Sequence, residues 1–405
     1  MSRHPRVALF ADSFFEVNGA AQACRQFEAF ARRNGYDFLS VHCGPEDRLD
    51  EAGPVRTLQL RRGKLAFQID RDLSFDPLLI RRRQEVLAAV QRFRPDVIHI
   101  TSPGDIGILG AWTAHVARVP LAAAWHTNLH EFAGRRLMKY LRRLPGSARL
   151  QAFAERWILD RVLWFFSRAS VTFAPNQELV NLIAARSHKP AFLMTRGIDL
   201  TLFTPARRVP DGGPFTLGFV GRVMPEKNVR FLATLEERLL RADAPPFRFL
   251  VVGDGTEAAW LKANLRQATF TGILTGEALA QAYAQMDLFV FPSQTDTFGN
   301  VVLEAFASGV PAVVTARGGP KYLVDAGVTG MVADNDEAFV QSVLTLMNAP
   351  EDVRRMGSAA RERVRSYSWD HVFRSEVYVA YQHCLQRPEA TSAPTATAFS
   401  AVSRG

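Results

Sequence analysis

LFVFPSQTDTFGNVVLEAFASGVPAVVTARGGP, residues Leu288 to Pro320, reads as strand, loop, helix, strand and loop. Leu288 to Phe291 is a short, unbroken apolar run, as expected of a strand buried on both faces of a parallel sheet. The spacing predicts a helix starting near Gly299 or Asn300. Thr297 and Asn300 are available to cap it, and Gly299 allows a ligand close to the backbone. The next strand is Ala312 to Thr315, closed by Gly318 and Gly319. Free amides at a helix start carry partial positive charge, so this unit can hold a phosphate, and a diphosphate without a metal. Glu304 is the exception within the apolar helix sequence. A buried carboxylate costs several kcal/mol, roughly, unless donors compensate it, and sugar or ribose hydroxyls are suitable donors. The competing reading has Glu304 reaching solvent or a neighbouring arginine.

Outward from this unit, the same alternation of short aliphatic runs with longer helical patterns fills the chain, which is the pattern of βαβ units. One series of strands is expected at Val7 to Phe10, Phe38 to Val41, Val97 to Ile100, Leu121 to Trp125 and Val171 to Phe173. A second is expected at Thr216 to Val220, Phe249 to Val252, Thr269 to Thr271, Leu288 to Phe291, Ala312 to Thr315 and Gly330 to Ala333. Between them, LFTPARRVPDGGP (202–214) is too rich in Pro and Gly for either element and is read as the linker. The expected fold is therefore α/β: two Rossmann-like, doubly wound domains at 1–201 and 215–368, facing across a cleft. A helix at 369–386 is expected to pack back on the first domain, and the Ala, Ser, Thr and Pro-rich tail 387–405 is expected to be disordered. Ligands of open α/β sheets bind at the carboxyl ends of the strands, so function is expected in the cleft.

Composition agrees. At 405 residues, 47% hydrophobic and 22% charged, the chain can bury two sizeable cores. Three widely spaced cysteines, Cys24, Cys43 and Cys384, form no CxxC pair or metal cluster, which fits a reducing cytoplasm. The start MSRHPRVALFAD lacks the apolar stretch of a signal peptide, and no run of about 18 apolar residues predicts a membrane span. The net charge is +9, and Arg61 to Asp160 alone holds 17 Lys or Arg against 9 Asp or Glu, an excess of +8. Such a field attracts anionic lipid, nucleic acid or a phosphorylated substrate, and composition does not choose among them.

Four other stretches are candidates for the cleft. In GFVGRVMPEKN (218–228), Arg222 and Lys227 follow a strand and suit convergence on one anion, a planar fork beside a compact charge. The alternative is a cationic pair on a solvated turn. In ADSFFEVNGAAQ (11–22), Asn18 and Gly19 stand at the tip of the first loop, although Asn-Gly is also an ordinary turn. The glycine pattern of a dinucleotide fold is absent, which argues against a dehydrogenase. His126 ends the apolar strand of LAAAWHTN, as a site residue or as a structural histidine bonded to backbone. Finally, EFAGRRLMKYLRRLPGSAR (131–149) interleaves Arg135, Arg136, Lys139, Arg142 and Arg143 with apolar residues at helical spacing. It can lie on an anionic bilayer, or pack on its own domain with a solvated basic face.

These motifs resemble the retaining glycosyltransferases of family four, which have the GT-B fold and share two glutamates separated by seven residues. Asp296 and Glu304 occupy those positions, and the resemblance spans about Arg6 to Tyr381. It implies that Asp296 binds donor-sugar hydroxyls and Glu304 the nucleotide ribose. It also implies that Arg222 and Lys227 neutralise the leaving diphosphate, that Gly19 lets the first loop approach it, and that His126 contacts the reacting sugar. Asn18, Ile273, Thr297, Phe298, Gly299 and Asn300 join the donor-contacting set. Asp296 is one methylene shorter than the family's glutamate, which bears on the choice of sugar. The TDTFGN wording is similar to the branch of sulfolipid synthases and diacylglycerol glycosyltransferases. The expected partners are thus a nucleotide-sugar donor (GDP-mannose or a UDP-sugar), a lipid acceptor and the anionic inner face of the cell membrane. No nucleic acid, cofactor or metal is expected. A nucleotide-sugar epimerase of the same architecture and a non-catalytic basic membrane-binding module are the alternatives.

Overall fold

The computed structural model describes residues 4–16, 18–70, 73–126, 147–210 and 212–386. The basic stretch 131–146 and the tail 387–405 lie outside them. In chain order the first sheet and its appendages comprise β1 (Val7–Ala11), β2 (Phe38–Gly44), β3 (Arg48–Asp50), β4 (Val55–Arg61), the hairpin β5 (Phe67–Asp70) and β6 (Leu73–Phe75), β7 (Val97–Ile100), β8 (Leu121–Ala124), β9 (Val171–Ala174) and β10 (Ala191–Leu193). The eight-stranded sheet runs β10-β9-β8-β7-β1-β2-β4-β3. It is parallel throughout except for β3, which pairs antiparallel with β4 at the edge.

Because β1 is buried on both sides, alternate residues serve different cores. Ala8 and Phe10 pack under the Arg83–Phe93, Asp105–Ala117 and Ser147–Phe166 helices. Val7 and Leu9 pack under the Gly19–Asn34 helix and the carboxyl-terminal segment Trp369, Phe373, Val377 and Tyr381. That segment returns from beyond the second sheet to close the first one, and the Tyr381 hydroxyl lies 2.5 Å from Nδ1 of His99 on β7.

The second sheet is six-stranded and wholly parallel: β11 (Phe215–Val220), β12 (Phe247–Val252), β13 (Ala268–Gly272), β14 (Leu288–Phe291), β15 (Ala312–Thr315) and β16 (Gly330–Ala333), in the order β13-β12-β11-β14-β15-β16. Its core takes in Ile198, Phe203 and Val364, so the chain enters it just after residue 197 and leaves it near 364. The two crossings lie side by side. The Ile198 amide donates to the Tyr367 carbonyl at 2.7 Å, and a Cβ on Gly197 would lie 2.4 Å from the Trp369 backbone nitrogen.

Every strand read from sequence is present, within two residues at either end except β2, which runs three residues further, to Gly44. The unexpected ones are β3, β4, β5, β6 and β10. All are short or at sheet edges except β4, whose VRTLQLR mixes polar and apolar residues because its burial is uneven.

The Gly197 contact is with backbone, which cannot rotate aside. Gly197→Ala is expected to destabilise the fold by roughly 1–3 kcal/mol, read as a lower midpoint in urea unfolding. An unchanged midpoint would show that the two crossings do not constrain each other.

Candidate active site

In each sheet the strand order reverses at one point, between β1 and β7 in the first and between β11 and β14 in the second. There the loops leaving the carboxyl ends diverge and open a crevice. Arg222 and Lys227 leave β11 on one side of the second switch point, and the 293–299 loop leaves β14 on the other. Lys227 sits on a 3-10 turn, Pro225–Lys227, whose Glu226 carbonyl accepts from Thr295 Oγ1 at 3.1 Å. Its Nζ lies 2.5 Å from Oδ1 of Asp296. The other carboxylate oxygen of Asp296 accepts from Ser293 Oγ. Arg222 meets Glu226 at 3.3 Å.

The loop has room for no other shape. Gly319 donates to the Asp296 carbonyl at 2.6 Å, and any Cβ there would lie 2.0 Å from the Thr297 carbonyl oxygen. Gly299 adopts φ 100 at the start of the Asn300–Ala307 helix, a region that disfavours side chains. The expected capping by Thr297 and Asn300 is not what the structure has: Gly299 is the N-cap, and no side chain caps the helix. Both side chains are instead directed across the cleft. Thr297 Oγ1 donates to the His126 carbonyl at 2.9 Å, and Asn300 Nδ2 approaches Gln22 Oε1 at 3.4 Å. The helix amides thus keep their free start.

Glu304 is buried on this helix and accepts from the Tyr283 hydroxyl at 2.7 Å. The partner is neither solvent nor an arginine. Burial drives the carboxyl from 4.5 up to about 7, with the Tyr283 bond pulling the other way. One neutral hydroxyl is a thin shell for a buried carboxylate, which can accept about four hydrogen bonds.

Facing this, the first sheet contributes the Gly19–Asn34 helix and the end of β8. Asn18 caps the helix by accepting from the Ala21 amide at 2.8 Å. A Cβ on Gly19 would lie 2.7 Å from Nδ2 of Asn300, so the two helix starts meet at this glycine. His126 is not bonded to backbone through its ring. Its Nδ1 lies 2.5 Å from Nη2 of Arg196, and burial, aided by the Arg196 charge, holds its pKa well below 6.5. Arg196 in turn lies 5.9 Å from the Phe298 ring centroid. Asn176 Nδ2 donates to the Thr297 carbonyl at 2.7 Å. The first switch point holds Asp12, which accepts from the Ile106 and Gly107 amides. Burial pushes its carboxyl up to about 6.

Of the residues expected here, His126, Asn18, Gly19, Arg222, Lys227, Asp296, Thr297, Phe298, Gly299, Asn300 and Glu304 lie on the loops and helix starts at the facing carboxyl ends. Ile273 follows β13 and is 65% exposed. Sequence reading missed Arg196, Asn176, Tyr283 and Ser293. The signal for Arg196 was its place just after a strand in MTRGID, and for Asn176 its place before the Gln177–Ser187 helix. Two open depressions, 660 Å³ beside Arg6 and Arg94 and 350 Å³ beside Arg208 and Phe215, are at the amino ends of the sheets, away from these groups. Among the described residues no His, Cys, Asp and Glu group could hold a metal, and no helix is long and apolar enough to cross a membrane.

Two facing Rossmann-like sheets, with a cationic pair, a free helix start and a buried carboxylate at one switch point, define a GT-B glycosyltransferase. Models of known families match in both halves: Glycosyltransferase Family 4 over residues 17–202 and Glycosyl transferases group 1 over 214–349. A GDP-mannose-dependent alpha-mannosyltransferase of Mycolicibacterium smegmatis is 34% identical over 90% of this chain and 94% of its own. The sulfoquinovosyl transferase SQD2 of Arabidopsis thaliana is 28% identical over 91% of this chain and 72% of its own. Among solved structures, the sucrose-phosphate synthase of Thermosynechococcus elongatus superposes with a TM-score of 0.69 at 21% identity, covering 94% of this chain and 98% of that one. The chain belongs to glycosyltransferase family 4, and the epimerase and non-catalytic alternatives fall away.

The Glu304 shift has a sign. Between pH 4.5 and about 7 the folded chain keeps a proton that the unfolded chain has released, so its contribution falls as pH rises. Glu304→Gln removes that slope: relative to wild type without donor, the variant is expected to gain stability from pH 4.5 to 7, by up to about 3 kcal/mol. Urea unfolding across this range measures it. A constant difference would show that Glu304 is ionised at both ends.

Proposed function

We propose that the chain transfers a mannosyl unit from GDP-mannose to a lipid hydroxyl, with retention at the anomeric carbon. The observation that carries this reading is the Lys227–Asp296 ion pair beside the uncapped Asn300–Ala307 helix, which also bears the buried Glu304. Three relatives at 31–34% identity are named GDP-mannose-dependent alpha-mannosyltransferases, which supports this donor over a UDP-sugar.

In this reading the helix amides, Arg222 and Lys227 hold the donor diphosphate without a metal. Lys227 has three N–H donors and spends one on Asp296, leaving others for phosphate oxygens. Ribose hydroxyls donate to Glu304 and lower its pKa again. Asp296, already anchored by Lys227 and Ser293, accepts from sugar hydroxyls, and Gly19 brings the first loop against the phosphates. The bond from the anomeric carbon to the phosphate oxygen breaks, its electron pair leaving with the diphosphate, whose charge the cations stabilise. The acceptor oxygen bonds to the same face, and its proton passes to the departing phosphate oxygen.

A lipid acceptor and a peripheral position on an anionic, cytoplasmic membrane face are supported by the basic amino-terminal half. They are supported also by the Ser147–Phe166 helix, whose Phe153, Trp157 and Trp164 are more than half exposed. Arg161 and Arg168 lie over the rings of Trp157 and Trp164. Aromatic rings beside arginines suit the headgroup layer.

The test is a transfer assay with labelled GDP-mannose and UDP-sugars, diacylglycerol in mixed micelles, and chelator throughout. Lys227→Ala and Glu304→Ala are each expected to lower kcat/KM for GDP-mannose by about 10²–10³-fold. Full activity in both would overturn the donor site. Replacing Trp157 and Trp164 together by Ser is expected to weaken co-sedimentation with anionic vesicles about tenfold without changing GDP-mannose binding. Undiminished sedimentation would remove the helix from the membrane contact.

A further inference from the structure

Arg196 is a buried guanidinium, 4% exposed, with no carboxylate in ion-pair contact among the described residues. Its Nη1 donates to the Met194 and Thr195 carbonyls, at 3.2 and 3.1 Å. Its Nη2 is 2.5 Å from Nδ1 of His126. Glu376 lies near enough to favour the charged form without touching it; burying a charge with no carboxylate in contact costs several kcal/mol, roughly, and simple core packing would have been served by an apolar side chain.

The chemistry of the contact leaves one arrangement. A guanidinium only donates hydrogen bonds, so the His126 nitrogen facing it must present its lone pair. The ring proton is then on Nε2, which has no partner among the described residues. An imidazole with that proton fixed is a hydrogen-bond donor at Nε2 and cannot serve there as a base.

We propose that Arg196 is a positioning residue for the transfer: by donating to Nδ1 it confines the ring proton of His126 to Nε2, so that His126 meets the donor sugar as a hydrogen-bond donor. This rests on the reading that His126 faces that sugar. Phe298 ties the arrangement to the state of the cleft. It belongs to the second sheet's 293–299 loop yet lies over Arg196, and its neighbour Thr297 holds the His126 carbonyl. The histidine is therefore held from behind by its own domain and from the side by the opposite one. The second domain thus touches both members of the pair, His126 through its carbonyl and Arg196 through the Phe298 ring.

Two measurements test the proposal. Nitrogen NMR of ring-labelled histidine in the full chain, with His126→Gln to assign the signal, is expected to show a single Nε2–H tautomer with Nδ1 as acceptor. Arg196→Met is expected to give mixed tautomers and Arg196→Lys, which keeps a donor, to restore the single one. A proton on Nδ1 in the wild type, or an unchanged signal in Arg196→Met, would overturn the assignment.

In the GDP-mannose transfer assay, His126→Ala and Arg196→Met are each expected to lower kcat by about 10–100-fold with little change in donor KM. The double variant is expected to lose no more than the worse single one, because one acts through the other. Multiplying losses would mean that Arg196 acts elsewhere and would overturn the proposal. If His126→Ala kept full kcat while the tautomer result held, the reading of His126 as a sugar contact would fail instead, and the positioning role with it.

Discussion

The contact of the Gly319 backbone with Asp296 and Thr297 is the constraint on which the site depends. With no Cβ in the way, the strand-to-helix loop folds flat against its neighbour, and each of its residues then faces a different partner. Ser293 turns to Asp296, Asp296 to Lys227, Thr295 to the turn that carries Lys227, Thr297 to His126, and Phe298 to Arg196. A side chain at Gly319 would push the loop outward and disturb all five together. The loop is therefore a rigid junction between the β11 turn, the Asn300–Ala307 helix and the opposite domain.

The buried ionisable groups fall into two kinds. Asp12 is nearly satisfied inside its own domain by Ser102 and helix amides, so its raised pKa records burial within a structural joint. Glu304, His126 and Arg196 are less well provided for: one hydroxyl, one guanidinium nitrogen and two carbonyls are what they have. Incomplete satisfaction at the cleft face is what a ligand with many hydroxyls can relieve, and the same groups in a core would be a defect.

Much of the fold was legible because strands buried on both faces, such as Leu288–Phe291 and Val97–Ile100, must be apolar without interruption, and that leaves a plain trace. Edge strands leave none. The three residues of β10 pair on one side only, and β4, though inside the sheet, is unevenly buried and so mixes polar with apolar residues. At the site, the position of Arg222 and Lys227 just after a strand could be read from spacing, whereas Asp296 was singled out by the family resemblance; the structure places Lys227 and Asp296 after the two switch-point strands β11 and β14. What could not be read were contacts made across the cleft. Thr297 and Asn300 look like helix caps locally and become interdomain donors only when a residue about 170 or 280 positions away arrives. Arg196 and His126, 70 residues apart, are invisible as a pair until β8 and β10 lie in one sheet.

The two chain crossings at Ile198 and Tyr367 have a mechanical meaning. One crossing would be a tether, about which the halves could twist freely. Two, joined by a backbone hydrogen bond and by the seat of Trp369 on Gly197, act as a pair of pins on one door. The remaining freedom is a swing about the line through them. Points far from that line travel furthest and points near it hardly move, so the pins decide how far the Gly19 and Asn300 helix starts separate when the door opens.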